Sequence, residues 1–264
     1  MNTIITCLLL ASLWTGTVQA QETLMVTGTG ENQEVVRELA KQFTALHPGV
    51  TVEVPDSIGS GGGIKALKKG KTDLARTGRP LKDSEKEGLV EFLFGRTPVV
   101  FATNPTVTKV DNLTTAQILA IYSGKITNWQ EVGGPAAKIY PISRETGDSA
   151  RMVLEASMPG FKDLNFVSKE IFSSPEAVAT VQKHEFTIGY LSAASAHDAG
   201  LNILKIDGKS PVPGPDGKVD YPFLCPFYLV HTGNPSALAK QFIDFTLSTE
   251  GRATLLAHGA LPVN

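Results

Sequence analysis

The sequence predicts an α/β fold, because short apolar runs typical of strands alternate with amphipathic segments typical of helices. Three of the predicted strand-to-helix junctions carry loops rich in Gly, Ser or Thr, at Gly28, Gly59 and Thr146. Such loops place backbone N–H groups and hydroxyls at a helix N-terminus, where the helix dipole favours an anion. The two observations together predict an α/β protein with an anion site built from loops.

The first part of the chain alternates strands and helices in a regular order. Strands are predicted at 23–27, 50–54, 73–76 and 98–102 from apolar or alternating runs. Between the first two, apolar residues recur on one helical face, and His47-Pro48-Gly49 ends that helix. The residues of this face are Val35, Val36, Leu39, Ala40, Phe43 and Leu46. A short helix through Ala66 and Leu67 follows the second strand.

The second part continues the same alternation. Strands are predicted at 138–142, 187–191 and 227–230, and a Pro/Gly-rich connection at 208–218 precedes the last of them. Helices are predicted at 114–122, around 152–154, at 175–182, and once more at the end of the chain, where Asn234-Pro235-Ser236 caps a final helix. The sequence contains no internal repeat and no low-complexity segment.

The first twenty residues have the composition of a secretory signal. They contain no Lys, Arg, Asp or Glu, residues 4–13 are almost entirely apolar, and Val18-Gln19-Ala20 forms a small-residue exit. This pattern predicts a signal peptide at 1–20 that is cleaved after Ala20, with a buried core helix as the alternative. The apolar run is shorter than the roughly 20 residues that span a bilayer. We therefore expect an exported, periplasmic protein.

Cysteine usage and charge restrict the function further. Cys7 leaves with the predicted signal peptide, so Cys225 is the single remaining thiol, and its apolar neighbours predict that it is buried and inert. The formal net charge of −2 argues against a nucleic-acid partner, which would leave a basic patch. The five histidines are scattered without metal-ligand spacing. We therefore expect no metal, no cofactor and no nucleic acid.

Three motifs that would indicate an enzyme are incomplete. The first glycine-rich loop has Gln33 where a dinucleotide fingerprint needs its third glycine. The run 70–72 resembles the end of a P-loop, but Lys65 replaces the glycine of that motif. Ser149 lacks the second glycine of a nucleophile elbow, because position 151 is Arg151. These departures favour a binding protein over an enzyme.

Four runs of the sequence resemble the phosphate-binding component of bacterial phosphate ABC importers, and the resemblance covers essentially the whole chain after residue 20. The runs are GSGGG with Lys65, Thr72-Asp73-Leu74 followed by Arg79-Pro80-Leu81, YSGKITNW at 122–129, and Val132-Gly133-Gly134-Pro135. The resemblance implies a two-lobed periplasmic-binding-protein fold of type II with the ligand cleft between the lobes. It places residues 21–103 and 201–264 in lobe 1 and residues 104–200 in lobe 2.

The same resemblance implies a ligand, partners and site residues. The ligand would be inorganic phosphate or a related oxyanion. The partner would be the membrane permease of an ABC importer, and the chain would act as a monomer. The ligand-binding residues that carry over are Thr29 or Asn32, Ser60, Gly61 and Thr77 in lobe 1, and Arg144, Gly147, Asp148 and Ser149 in lobe 2.

The chain departs from the family pattern at the centre of the implied site. The family motif is an arginine, two residues and then Gly-Ser-Gly-Thr, whereas this chain has Asp148, Ser149 and Ala150 after Gly147. Some relatives carry an acidic residue after the third strand, where this chain has Gly78. Asp148 could take over the role of accepting the proton of phosphate, and its charge would then repel sulfate. Molybdate, sulfate or a phosphonate are the alternative ligands, and an enzyme acting on a phosphorylated metabolite is the alternative function.

Several of these residues also have a purely structural interpretation. Ser60 and Thr77 are ordinary turn residues. Asp148 is a first-turn acid of the kind that the helix dipole favours. Arg144 and Arg151 are possible partners in surface ion pairs. A further arginine, Arg76, stands where most relatives have a small residue. The sequence leaves two interpretations open, one in which its side chain lines the cleft and one in which it packs elsewhere.

Overall fold

The computed structural model describes residues 21–213 and 219–263, so the predicted signal peptide at 1–20 lies outside the described residues. The strands are β1 (Glu22–Gly28), β2 (Val50–Glu53), β3 (Leu74–Thr77), β4 (Leu89–Thr103), β5 (Asn112–Leu113), β6 (Tyr140–Arg144), β7 (Lys169–Ile171), β8 (Thr187–Ser192), β9 (Asn202–Ile203), β10 (Lys205–Ile206), β11 (Leu224–Thr232) and β12 (Leu261–Pro262). The helices are α1 (Gln33–Leu46), α2 (Gly59–Lys68), α3 (Thr115–Tyr122), α4 (Ser149–Ser157), α5 (Ser174–Lys183), α6 (Ala237–Thr246) and α7 (Thr249–Ala257), with 3-10 turns at Asp83–Glu85 and Trp129–Val132.

A single long strand connects two half-sheets. The strand order is β2-β1-β3-β11-β4-β8-β6-β7, with β9 and β12 also paired to β4. Residues 89–98 of β4 pair with β11, and residues 99–103 pair with β8. We call β2, β1, β3, β11 and the first part of β4 the first half-sheet, and the last part of β4 with β8, β6 and β7 the second half-sheet. The pairs of β1 with β2 and β3, and of β6 with β7 and β8, are parallel.

The predicted α/β fold is confirmed, and each of the seven predicted strands overlaps an observed one. The predicted final helix is confirmed as α6, which Ser236 caps, but a further helix, α7, follows it. Ser248 caps α7 by accepting a hydrogen bond from the Gly251 N–H at 3.0 Å. A Cβ atom at Gly251 would lie 2.1 Å from the Phe245 carbonyl oxygen. Only glycine therefore permits the two helices to turn so closely.

An aromatic cluster forms the core of the second half-sheet and fixes the strand that ends in Arg144. Tyr122, Phe161 and Tyr190 are buried and contact one another edge-on or tilted. The Tyr122 hydroxyl donates to the Ile142 carbonyl in β6 at 3.1 Å. Trp129 is fully buried, and its indole N–H donates to the Phe186 carbonyl at 3.0 Å. The two ends of the YSGKITNW run, Tyr122 and Trp129, therefore pack into the second half-sheet.

The predicted burial of Cys225 is confirmed. Its thiol is free and buried in β11, and it donates to the Gly78 carbonyl at 3.2 Å. Burial raises the pKa of this thiol well above its ordinary value. The thiolate, which is the reactive form, is therefore suppressed at neutral pH. Within the described residues, no helix is both long and apolar enough to cross a membrane.

Candidate functional site

A small polar cavity of 190 Å³ lies between loops of the two half-sheets. Loops after β1 and before α2 form one wall, and the β6–α4 loop forms the other. Six of the nine predicted ligand residues line it, together with six neighbours. The lining residues are Thr29, Gly30, Ser57, Ile58, Gly59, Ser60, Arg144, Glu145, Gly147, Asp148, Ser149 and Phe172.

Two helices begin at this cavity, one from each wall. Ser60 lies in the first turn of α2, and Ser149 is the first residue of α4. Their hydroxyl oxygens are 3.3 Å apart, and the Gly78 N–H donates to the Ser60 hydroxyl oxygen at 3.3 Å. Because helix N-termini carry unpaired N–H groups and partial positive charge, this arrangement favours an anion in the cavity.

Arg144 is the cation of the site, and the second half-sheet holds it in place. It is the last residue of β6 and is 4% exposed. Its backbone N–H donates to the Tyr190 hydroxyl oxygen at 2.8 Å, and its Nε–H donates to the Ile171 carbonyl at 3.1 Å. The interpretation of Arg144 as a surface ion-pair partner is therefore wrong, since its side chain is buried.

Three carboxylates surround the Arg144 guanidinium. Asp148 Oδ2 lies 2.9 Å from Nη2, Glu31 Oε1 lies 3.1 Å from Nη1, and Glu145 Oε2 lies 3.1 Å from Nε. The side chains of Glu31 and Asp148 are 0% and 4% exposed, whereas Glu145 is 30% exposed. The buried part of the site therefore contains more acidic groups than basic ones.

Burial, together with this excess of acid, shifts the protonation of Asp148 toward its neutral form. Burial, followed by the nearby Glu31 carboxylate, raises the pKa of Asp148 to about 8, although Arg144 acts in the opposite direction. Burial also disfavours the charged form of Arg144, but the carboxylates of Asp148, Glu31 and Glu145 raise its pKa above the ordinary value. Burial and the neighbouring acid therefore favour the neutral form of Asp148, beside a charged arginine.

Asp148 also has the structural role that its sequence position allowed. It is the N-cap of α4, and its Oδ1 accepts a hydrogen bond from the Arg151 N–H at 3.0 Å. Since its other oxygen contacts Arg144, both carboxyl oxygens have protein partners. Asp148 thus lines the cavity and caps the helix at the same time.

Three predicted ligand residues do not line the cavity. Thr77 is fully buried and its hydroxyl donates to the Arg79 carbonyl at 2.8 Å, as expected for a turn residue. The Asn32 side-chain amide donates to the Thr77 carbonyl at 3.2 Å, which ties the β1–α1 loop to the end of β3. Gly61 lies in the first turn of α2, next to Ser60. Asn32 and Thr77 hold the wall of the cavity from behind.

Arg76 does not line the cavity either. Its guanidinium donates to the Thr29 carbonyl at 3.0 Å, to the Pro55 carbonyl at 2.6 Å and to Gln33 Oε1 at 3.0 Å. Because Thr29 and Pro55 belong to the loops before α1 and α2, Arg76 connects the two loops that form the first wall. Burial lowers its pKa to about 10.

Gly78 has no room for the acidic side chain that some relatives carry there. A Cβ atom at this position would lie 2.6 Å from the Ser149 hydroxyl oxygen and 3.2 Å from the Cys225 sulfur. Ser149, which stands where the family motif has glycine, therefore occupies the space next to Gly78. The two departures from the family pattern compensate each other in volume.

Another, larger cavity has a different character. It measures 580 Å³, lies in the second half-sheet and contains none of the predicted ligand residues. Its walls include Ile121, Ile126, Ile139 and Val167, and no arginine lies in it. Across residues 21–213 and 219–263, no group of three or more His, Cys, Asp or Glu residues is arranged to hold a metal ion.

Comparison with known proteins identifies the family. The model of the PBP superfamily domain matches residues 15–250. The chain belongs to the PBP superfamily. Among solved structures, it resembles one described as a phosphate ABC transporter substrate-binding protein with bound phosphate from Clostridium perfringens, with 31% identity, a TM-score of 0.79, and coverage of 92% of this chain and 100% of the other.

Further relatives of this PBP superfamily chain carry similar names. An ABC-type phosphate transport receptor from Vibrio cholerae has 26% identity and a TM-score of 0.64, covering 91% of this chain and 99% of the other. The phosphate-binding protein PstS of Bacillus subtilis is 25% identical over 255 residues, which cover 94% of this chain and 83% of that protein. The resemblance found in the sequence is thus confirmed along nearly the whole chain.

Sequence reasoning missed Glu31 and Ser174 in this PBP superfamily site. Glu31 lies in the loop between β1 and α1, and Ser174 opens α5, so each has an ordinary local role. Their side chains nevertheless meet, since the Ser174 hydroxyl donates to Glu31 Oε1 at 2.7 Å and Arg144 Nη1 donates to the Ser174 oxygen at 2.9 Å. An acidic residue in a glycine-containing strand-to-helix loop was the available signal, but its partner Ser174 is 143 residues away.

Proposed function

We propose that the chain is an exported solute-binding protein that captures phosphate, or a similar oxyanion, for an ABC importer by closing a cleft, without chemistry. The observation that carries this proposal is the polar cavity in which Arg144 meets the N-termini of α2 and α4. A guanidinium offers paired donors to oxyanions, and the two helix starts add N–H groups and hydroxyls. The names of the relatives support phosphate as the ligand.

We further propose that two lobes close around this cavity. Residues 21–103 and 201–264 would form one lobe and residues 104–200 the other. The change of partner within β4, between residues 98 and 99, supports a boundary near the end of that strand. The cavity walls come from both proposed lobes, so a bound anion would hold the two together.

Cleavage after residue 20, release to the periplasm and action as a monomer that delivers its ligand to a membrane permease belong to the same proposal. The pattern of the first twenty residues supports export. The incomplete nucleotide-binding and hydrolase motifs support binding without catalysis. Turnover of a phosphate ester such as p-nitrophenyl phosphate by the purified chain would contradict this part.

Isothermal titration of the chain from residue 21 onward tests the ligand. Phosphate is expected to bind with 1:1 saturable stoichiometry, and sulfate, molybdate and methylphosphonate are titrated in parallel as the alternative ligands. Arg144→Ala is expected to lose about 2–5 kcal/mol of binding free energy, because a buried anion loses its cation. Arg96→Ala removes an exposed arginine outside the cavity and is the matched control.

The possible outcomes separate the parts of this proposal. Absence of binding by any of the four anions would refute the oxyanion-binding function. Binding of one alternative ligand in preference to phosphate would replace the ligand but keep the site. Phosphate binding that Arg144→Ala leaves unchanged would show that the anion binds elsewhere.

A further inference from the structure

Glu31 is a fully buried carboxylate whose polar contacts run to the opposite half of the molecule. It follows β1 in the first wall of the cavity, and its side chain is 0% exposed. Its Oε1 accepts hydrogen bonds from the Ser174 hydroxyl at 2.7 Å and from Arg144 Nη1 at 3.1 Å. Both partners belong to the segment between β5 and β8. The Glu31 carboxylate therefore bridges the two walls.

The backbone of Glu31 is held from the same side. The hydroxyls of Ser192 and Ser195 donate to the Glu31 carbonyl oxygen at 3.1 and 3.3 Å. Ser192 is the last residue of β8. Glu31 Oε2 is buried and has no hydrogen-bond partner among the described residues. Glu31 is thus held by hydrogen bonds at its backbone carbonyl and at one carboxylate oxygen, as an external anionic ligand would be.

Each nitrogen of the Arg144 guanidinium already contacts two acceptors in this arrangement. Nε contacts Glu145 and the Ile171 carbonyl, Nη2 contacts Asp148 and Glu145, and Nη1 contacts Glu31 and Ser174. An oxyanion can take a hydrogen bond from Arg144 only if one of these acceptors leaves.

The wall to which each acceptor belongs decides which acceptor leaves when the walls separate. Glu145 is the residue after Arg144 and Asp148 lies four residues after it, so both belong to the same wall as Arg144 and stay beside it when the walls separate. Glu31 alone among these carboxylates comes from the first wall. Separation of the walls therefore frees Nη1 of Arg144 and the hydroxyl of Ser174 together. These two donors face the position that the Glu31 carboxylate occupies.

We propose that Glu31 is an internal ligand, which occupies Arg144 and Ser174, closes the chain in the absence of an anion, and competes with the incoming oxyanion for these donors. This inference rests on the proposed function, because it assumes an external anion in the same cleft. A tethered carboxylate acts at high effective concentration. The open state that can bind the anion is then sparsely populated. The apparent affinity for the anion is reduced in proportion to the fraction of molecules that are open.

Small-angle X-ray scattering of the anion-free protein tests the closure directly. Wild type, Glu31→Gln and Glu31→Ala are compared with Glu34→Gln, which removes the same charge from an exposed position on α1. We expect the radius of gyration to be larger for Glu31→Ala than for wild type and the control, with Glu31→Gln between them. Equal radii for wild type and Glu31→Ala without anion would overturn the proposal, whatever the ligand is.

Titration with inorganic phosphate tests the competition. Glu31→Gln keeps the shape of the side chain and is expected to bind phosphate about tenfold more tightly than wild type, which corresponds to about 1.4 kcal/mol. A residue that merely positions Arg144 would give the opposite result, weaker binding. Equal or weaker binding by Glu31→Gln, with wild type binding phosphate, overturns the inference.

Failure of the proposed function has a different signature. In that case neither wild type nor the two Glu31 variants bind phosphate, while the scattering comparison still decides whether Glu31 closes the chain. Thermal unfolding of each variant establishes that it is folded before either measurement. Glu31→Ala and Glu31→Gln differ in size, so a folding defect of one leaves the other for both tests.

Discussion

Two buried arginines lie at the ends of parallel strands in the two half-sheets, and their surroundings differ. Arg76 near the end of β3 donates to two carbonyls and an amide oxygen, with no carboxylate among its hydrogen-bond partners. Arg144 at the end of β6 contacts three carboxylates. Burial lowers the pKa of Arg76, whereas the carboxylates raise that of Arg144 against the effect of burial.

The difference indicates two separate uses of a buried guanidinium. Carbonyl partners are fixed parts of the backbone, so Arg76 acts as a permanent brace between the loops that begin α1 and α2. Carboxylate partners can exchange with another anion or take up a proton, so the charge around Arg144 is adjustable. The first arginine shapes the wall, and the second provides the replaceable contact.

Removal of Arg144 is expected to have the largest effect on stability. Arg144→Met leaves the buried Glu31 carboxylate without its cation, and the loss of unfolding free energy at neutral pH should be about 3–5 kcal/mol. Urea unfolding, followed by circular dichroism, measures this loss.

A double-mutant cycle with Glu31→Gln sharpens the result. If the cost arises from unpaired buried charge, Glu31→Gln should recover part of the stability in the Arg144→Met background, with a coupling energy of about 0.5–3 kcal/mol. Strict additivity of the two substitutions would show that Glu31 and Arg144 do not depend on each other. The comparison of the two arginines would then lose its electrostatic basis.

Removal of Arg76 is expected to have a smaller effect. Arg76→Met retains most of the apolar volume but leaves the Thr29 and Pro55 carbonyls without a donor, which should cost about 2 kcal/mol. The loss stays below that of Arg144→Met because removal of a buried charge without a carboxylate partner also removes its desolvation penalty. The same urea unfolding assay measures it. A larger loss than for Arg144→Met would reverse the comparison.

The elements around both arginines were predictable from local patterns, but their partners were not. The helical face at Val35 and Leu39 and the apolar strands fixed the α/β order, because periodicity is a property of neighbouring residues. Arg144 was assigned to the site through a family motif. Glu31 was missed because its contact with Arg144 spans 113 residues and depends on how two half-sheets pack.

The same limit applies to the surroundings of Thr77 and to the end of the chain. Thr77 follows a strand, as a ligand residue would, but its hydroxyl turns back to the Arg79 carbonyl. The division between α6 and α7 depends on the close approach of Gly251 to the Phe245 carbonyl, which has no counterpart in hydrophobic periodicity. Positions that depend on tertiary contact were therefore the ones that sequence patterns did not resolve.

The pH dependence of stability distinguishes the surroundings of Arg144 from those of Arg76, because only Arg144 has the buried carboxyl of Asp148 beside it. Because burial raises the pKa of Asp148 to about 8, the folded chain holds a proton on this carboxyl that the unfolded chain has released at neutral pH. Where the folded state binds more protons, stability falls as pH rises. Asp148 should therefore lower the unfolding free energy between pH 4 and pH 8 by at most about 1.4 kcal/mol per pH unit, and contribute no further slope above that range.

Asp148→Asn removes this titration and keeps the cap, since Asn is as good an N-cap as Asp. Urea unfolding at pH 5, 6, 7 and 8 should show a flatter decline for Asp148→Asn than for wild type. Asp244→Asn, which removes an exposed acid on α6, is the control and should follow wild type. Glu31, Glu145, Arg144 and Arg151 also face Asp148, so the comparison uses the difference between wild type and variant at each pH. An identical slope for Asp148→Asn would mean that Asp148 is already ionised at pH 5, which would make Arg144, and not a bound proton, the group that balances its charge.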